Sequence, residues 1–268
     1  MNNTTNRFFI VVVIVLTIMT TISLTLQFSS NGTLGEEAVA AGESSGGTLD
    51  RAAVEKIIAE YLDAHPEIIL NSFYKARQQQ EQKISANAAK TIKTKRDELE
   101  RDPKSPYVGN KDADVTIVKF SDYNCGYCKR VVPDLITLLK EDKNLKLVLK
   151  DMPILGPQSV LNSKAALTAN SLDPSKWWKF HTAMMKSTPR NKDQILAIAK
   201  KVGFDPAKFE AEMKKPEIDA QIQKNLALGQ SIGVSGTPAF VIGGKFIRGA
   251  VGLSVFRDEI NKARAASK

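Results

Sequence analysis

Both cysteines of this 268-residue chain fall in one stretch, S-D-Y-N-C-G-Y-C-K-R at 121–130, three positions apart. Two thiols so spaced can be a structural bridge, half a metal site or a redox couple. A structural bridge there would close a tiny loop and constrain little of the unfolded chain. Structural zinc needs four Cys/His ligands, and the chain adds only His65 and His181, each distant in sequence. Cu(I) suits a pair of soft thiolates better, so copper binding stays open as an added role. The redox couple is favoured; no metal site is assigned and no cofactor is implied.

A redox couple needs an activated nucleophile. C-G-Y-C lies between a β-rich run, V-T-I-V-K-F at Val115–Phe120, and a helical pattern carrying Val131, Val132, Leu135, Leu138 and Leu139. That puts Cys125 at a helix N-terminus, where unpaired N–H groups and the helix dipole favour a thiolate. Cys128, one turn in, points back beneath it and can resolve a mixed disulfide. Gly126 and Tyr127, between them, tune the thiolate. A second signal is V-S-G-T-P-A-F at 234–240, where a proline after a glycine and before a strand fits a tight turn and a cis bond. His181, in the apolar run W-W-K-F-H-T-A-M-M, reads as a core histidine.

The elements that must hold these residues follow from pattern. Leu145–Leu149 reads as a second strand, completing β-α-β by residue 150 with a parallel pair. Residues 158–232 are helical by pattern. A-F-V-I-G-G-K-F-I then reads as a hairpin turning at Gly243-Gly244. A last helix starts near Ser254, with Phe256 and Ile260 inward. The order β-α-β, helical block, β-β-α predicts an α/β thioredoxin fold with an inserted helical subdomain, over 105–268 with the insertion at about 158–232.

Upstream, no charge occurs from Phe8 to Gly35. Residues 1–28 read as a membrane anchor spanning 8–26 or as a signal peptide; Ala38-Val39-Ala40 lies far past the apolar run, which favours the anchor. Either way the rest of the chain is exported, to the periplasm or cell envelope, where a dithiol can cycle. Residues 29–48 read as a flexible linker. Residues 49–104 read as a helical stalk and linker helix. Asp50 is its N-cap. Val54, Ile57, Ile58, Tyr61 and Leu62 share one face, His65-Pro66 interrupts, and Ile68, Ile69, Phe73 and Ala76 share the next. The remainder, up to Pro103, reads as an exposed helix. The apolar faces within 50–76 lie far from the catalytic block and predict a homo-oligomer. The net charge of +9 reads as solvated surface, since no basic cluster with interleaved aromatics points to nucleic acid.

F-S-D-Y-N-C-G-Y-C-K, P-I-L-G-P-Q-S at 153–159, F-H-T-A-M-M and G-V-S-G-T-P-A-F-V-I together resemble a DsbA-type exported thiol–disulfide oxidoreductase, over about residues 105–265. The C-G-Y-C and Thr-Pro pairing is similar to that of disulfide isomerases. Y-L-D-A-H-P-E-I-I resembles the stalk of the trimeric suppressor-of-copper-sensitivity C proteins. The resemblance implies Cys125 as nucleophile, Cys128 as resolving thiol, and Thr237 and Pro238 as the substrate-binding cis-proline pair. It implies protein substrates with cysteines or disulfides, a redox partner that recycles the pair, and a trimer ahead of a dimer. A dithiol oxidase and a Cu(I)-binding protein are the alternatives. One position departs: many relatives carry an acid before the strand phenylalanine, and this chain has Lys119. Pointing under the site, its charge would favour the Cys125 thiolate; snorkelling outward, it would do little.

Overall fold

The computed structural model describes residues 50–266. The expected anchor or signal peptide and the flexible linker lie outside the described residues, and among the described residues no helix is long and apolar enough to cross a membrane. The chain divides at Tyr61/Leu62 into two units.

Asp50 caps helix α1 (Arg51–Ala64), its carboxylate accepting from the Ala53 N–H at 2.7 Å. Along α1, Val54, Ile57, Ile58 and Tyr61 are all exposed. His65 leaves the helical region and Pro66 starts α2 (Pro66–Thr94), with proline in the first turn, where its missing N–H costs nothing. The N-terminal half of α2 exposes Ile69, Leu70, Phe73 and Tyr74, whereas near its C-terminal end Ala88 and Ile92 are buried.

The expectation of a wholly exposed linker helix is corrected here. Ala88 and Ile92 are buried, and Ile92 with Leu99 on α3 (Arg96–Glu100) packs on the sheet. Two strand lysines hold the end of that segment: Lys146 Nζ donates to the Glu100 carbonyl at 3.0 Å and Lys150 Nζ to the Glu98 carbonyl at 2.6 Å.

The sheet has five strands, β1 (Tyr107–Gly109), β2 (Val115–Ser121), β3 (Leu145–Asp151), β4 (Ala239–Ile242) and β5 (Lys245–Arg248), in the order β1-β3-β2-β4-β5. Only β2 and β3 run parallel; every other pair is antiparallel. β1, three residues long and too short to carry a pattern, is an edge strand that sequence reading missed. The hairpin between β4 and β5 turns at Gly243 and Gly244, both at positive φ, as a primed turn requires.

Period-two alternation splits the sheet into two faces. Ile117, Leu147, Leu149, Phe240 and Ile242 join one core with both cysteines. Over that face lie α4 (Gly126–Arg130), α5 (Val132–Glu141) and α11 (Leu253–Ala266), with the block of α6 (Pro157–Leu172), α7 (Pro174–Ser187), α8 (Lys192–Val202) and α9 (Pro206–Met213). Val118, Phe120, Val148 and Val241 face the other way, against Ile92, Leu99 and the end of α10 (Pro216–Ser231). The helical insertion between β3 and β4 thus completes a thioredoxin fold of the expected class.

Candidate active site

Buried β2 ends at Ser121, and the next four residues form the loop that presents the cysteines. Asp122 builds this loop. Its carboxylate accepts from the N–H groups of Asn124 (2.8 Å), Ile154 (2.9 Å) and Leu155 (3.0 Å), lashing the cysteine loop to the P-I-L-G turn. Asn124 accepts at 3.1 Å from Asn162 on α6, which also donates to the Pro189 carbonyl. The Tyr123 hydroxyl meets His181 Nδ1 at 2.6 Å, with the imidazole stacked on Trp177 and Trp178. Burial, and then the nearby Lys119, push His181 well below its usual range, so it is a neutral core histidine. Sequence reasoning missed Asp122 and Tyr123 as positioning residues; polar types next to the cysteines in a tight loop were the available signal.

Cys125 is the N-cap of α4, and its Sγ accepts from the Cys128 N–H at 3.3 Å. Both cysteines are free thiols; Cys128 is fully buried and Cys125 is only 6% exposed. Burial pushes Cys128 up to about 11, against the opposing pull of Lys119. Gly126 and Tyr127 are exposed between them, and the Arg130 guanidinium lies 4.0 Å over the Tyr127 ring.

Across from the cysteines, the Thr237-Pro238 peptide bond is cis, and the Cys125 thiol donates to the Thr237 carbonyl at 3.1 Å. Tyr127, Arg130, Asp134, Thr237, Pro238 and Gly249 line a groove of about 410 Å³ beside the pair. A larger cavity of about 660 Å³, near Pro103 and Ile218, contains none of these residues.

Lys119 points under the site. It is fully buried and its Nζ donates to the Cys128 carbonyl at 3.2 Å. Burial lowers it to about 8, opposed by both cysteines and by Asp151. The structure therefore brings Cys125, Cys128, Thr237, Pro238 and Lys119 together. No group of three or more His, Cys, Asp or Glu with metal-binding geometry occurs among the described residues.

Comparison with known proteins agrees with this geometry. Residues 116–261 match the family of the DSBA-like thioredoxin domain. Among curated proteins, disulfide bond formation protein D of Bacillus subtilis is 24% identical over 168 residues, 59% of this chain and 76% of that protein. Among solved structures, the thiol-disulfide exchange protein alpha-DsbA2 of Wolbachia pipientis is 32% identical, with a TM-score of 0.62 over 65% of this chain and 95% of its own. A linker-deletion mutant of Proteus mirabilis ScsC is 27% identical, with a TM-score of 0.64, and covers 83% of this chain and 100% of its own. The chain belongs to the DSBA-like thioredoxin family and is a DsbA-like thiol–disulfide oxidoreductase.

Proposed function

We propose that this protein is an exported disulfide isomerase in which Cys125 attacks a client disulfide and Cys128 resolves the mixed disulfide. The observation that carries the reading is the meeting of three groups: a capping Cys125 Sγ, a buried Cys128 one turn on, and the Thr237 carbonyl 3.1 Å away. A client strand docks on the Thr237-Pro238 backbone, pairing as an added strand beside the groove. Gly126 gives the client open space above the thiols, because a side chain there would meet nothing within 4 Å and none is present to obstruct the approach. Tyr127 and Arg130 form one wall, and Lys119 places a positive charge under the thiols. Resolution and release leave the pair oxidised, so a separate redox partner must return it to the dithiol.

The isomerase direction is supported by the exposed apolar faces of the stalk. Phe73 is 61% exposed and Tyr74 59%. Each such side chain buried between copies contributes ~1.5–3 kcal/mol before ordering costs. Residues 50–76 are therefore proposed as the surface of a homo-oligomer, a trimer ahead of a dimer, in which several sites surround one client and raise its effective concentration. Residues 49–104 serve as the stalk and 105–268 as the catalytic domain, tethered by 29–48 and anchored or exported through 1–28.

Reactivation of scrambled ribonuclease tests the direction. An isomerase restores activity when supplied reduced, whereas an oxidase restores only reduced ribonuclease. Light scattering of wild type against Phe73→Glu tests the stalk: the variant is expected to fall to monomer mass. An unchanged mass, or a monomeric wild type, would remove support for the oligomer.

A further inference from the structure

The positive charge of this chain is not spread evenly. Residues 174–204, which contain α7 and α8, hold seven lysines and arginines against one acid, Asp193. That surplus of six is most of the net +9. Lys176 Nζ, at the start of α7, donates to the Gly203 carbonyl at the end of α8 (3.3 Å), so the two helices run antiparallel. Two of the seven charges are neutralised: Lys176 pairs with Asp173 at 3.1 Å and Lys192 with Glu210 at 2.8 Å. Lys179, Lys186, Arg190, Lys200 and Lys201 are exposed, and none has an ion pair among the described residues. A surface that needs only to be soluble intersperses the two signs, because gathered like charges repel.

Three of these lysines surround a groove. Helical spacing puts Lys179, Ala183 and Lys186 on one face of α7, and Ile198, Lys201 and Val202 on one face of α8. These residues line a cavity of about 450 Å³. Val202 is buried and Ala183 and Ile198 are half-buried, so they form an apolar floor beneath an exposed lysine rim. The aromatic rings of the hairpin are not offered for stacking on bases: Trp177 and Phe180 are buried, and Trp178 stacks on His181.

The groove is fixed beside the redox site. Ser187 also lines it, and Thr188 follows at once with φ of 51°, a left-handed conformation that β-branched residues rarely adopt. That turn ends α7. Lys129 Nζ, from the residue after Cys128, donates to Thr188 Oγ1 at 2.7 Å. The Pro189 carbonyl accepts from Asn162, whose amide also donates to Asn124, the residue before Cys125. The end of α7 is thus tied to both flanks of the cysteine pair. Arg190 lies close enough to Lys129 for their charges to interact, so the basic surface runs from the groove to the rim of the site.

We propose that the groove between α7 and α8 docks an acidic segment of the client protein while the client's disulfide stands at Cys125. Client carboxylates meet Lys179, Lys186 and Lys201, and a large apolar client side chain fills the slot above Ala183, Ile198 and Val202. This rests on the thiol-exchange reading above and adds the class of client. Charge complementarity selects the acids, and the apolar floor selects the side chain between them. Continuity with the cysteine rim selects the client as the occupant. A flat anionic membrane would meet the lysines and leave the floor empty. Docking of this kind steers encounter and weakens as salt rises.

The test uses the reduced full-length protein and two peptides, each a mixed disulfide with glutathione. One carries a leucine flanked by glutamates, joined to its cysteine through Gly/Ser spacers of several lengths; its twin has glutamines in place of the glutamates. Wild type should reduce the acidic peptide with a kcat/KM about tenfold higher than the twin at low salt, mainly through KM, and the preference should shrink as salt rises. The triple variant Lys179→Gln, Lys186→Gln, Lys201→Gln should lose the preference and still reduce glutathione disulfide at the wild-type rate. Ala183→Phe, which fills the slot and keeps the lysines, should weaken the preference as well. Equal use of the two peptides by wild type at every spacer length overturns the proposal, as does a preference that survives in the triple variant or is untouched by Ala183→Phe. If wild type shows no peptide preference but the three lysines strengthen its binding to phosphatidylglycerol over phosphatidylcholine vesicles, the face belongs to lipid and the client proposal is overturned. Failure of wild type to reduce either peptide or glutathione disulfide would instead overturn the thiol-exchange reading itself, a separate result from equal use of the two peptides.

Discussion

Two fully buried lysines sit on neighbouring strands, Lys119 on β2 and Lys150 on β3, on opposite faces of one sheet. Each has a nearby aspartate, and burial lowers each lysine to about 8. Proton affinity alone does not distinguish them; their bonding does. Lys150 Nζ donates to the Glu98 carbonyl, Ser105 Oγ (2.7 Å) and Asp102 (3.5 Å). Asp102 in turn accepts from Gln221 at 2.9 Å and pairs with Lys224 at 3.2 Å. Burial acts to raise Asp102, but Gln221, Lys150, Lys104 and Lys224 together bring it down to about 2. Lys119 has one carbonyl, and its aspartate, Asp151, has no hydrogen-bond donor. A saturated pair is a clamp that holds the linker segment on the sheet. An unsaturated pair beside reactive sulfurs is held without that bonding, at a cost in stability.

That contrast fixes the expected sign of substitutions. Asp102→Asn strands a buried lysine and should cost about 3 kcal/mol in chemical denaturation at neutral pH. Asp102 is depressed in the folded state, so its contribution is present above about pH 4 and is lost as pH falls from there to about 2. The wild-type advantage over Asp102→Asn should fade over that window.

Asp151 works in the opposite sense. Its folded-state value is raised, so between about pH 4 and 8 the folded protein holds a proton that the unfolded chain has released, and stability falls as pH rises. Asp151→Asn removes that slope. It should gain about 1–3 kcal/mol at pH 8 and little near pH 4. Loss of stability at pH 8 would place Asp151 with Asp102 as a clamp and break the comparison.

The smallest effect is on the redox couple. Lys119→Met removes a cation that stabilises the reduced, thiolate-bearing state. The reduction potential, read by equilibration with glutathione, should become more negative by roughly 30 mV, about 1.4 kcal/mol for two electrons. Lys150→Met, on the other face, should leave the potential unchanged. Equal shifts in the two variants would show that Lys119 has no special access to the thiols.

Much of this architecture was legible in the sequence because it rests on local pattern. The β2 run, the glycine turn and the helical periods after Cys128 announce their elements, and C-G-Y-C between strand and helix announces the chemistry. The buried pairs were not legible. Lys119 stands alone in an apolar run and Lys150 and Asp151 close another, and a charge in a strand reads equally as an outward-facing residue. Only the register pairing Ser121 with Asp151 brings Asp151 to the face shared with Lys119. Asp102 is likewise remote in sequence from Gln221, its strongest donor. The packed end of α2 escaped notice because its apolar residues are few and widely spaced.

The central claim is that Cys125 attacks and Cys128 resolves. Its most direct test is mass spectrometry of Cys125→Ser and Cys128→Ser after incubation with scrambled ribonuclease. The account predicts that Cys128→Ser accumulates a covalent adduct through Cys125, and that Cys125→Ser forms none because its remaining thiol is buried and held near 11. An adduct on Cys128 in Cys125→Ser, or none in Cys128→Ser, would contradict it.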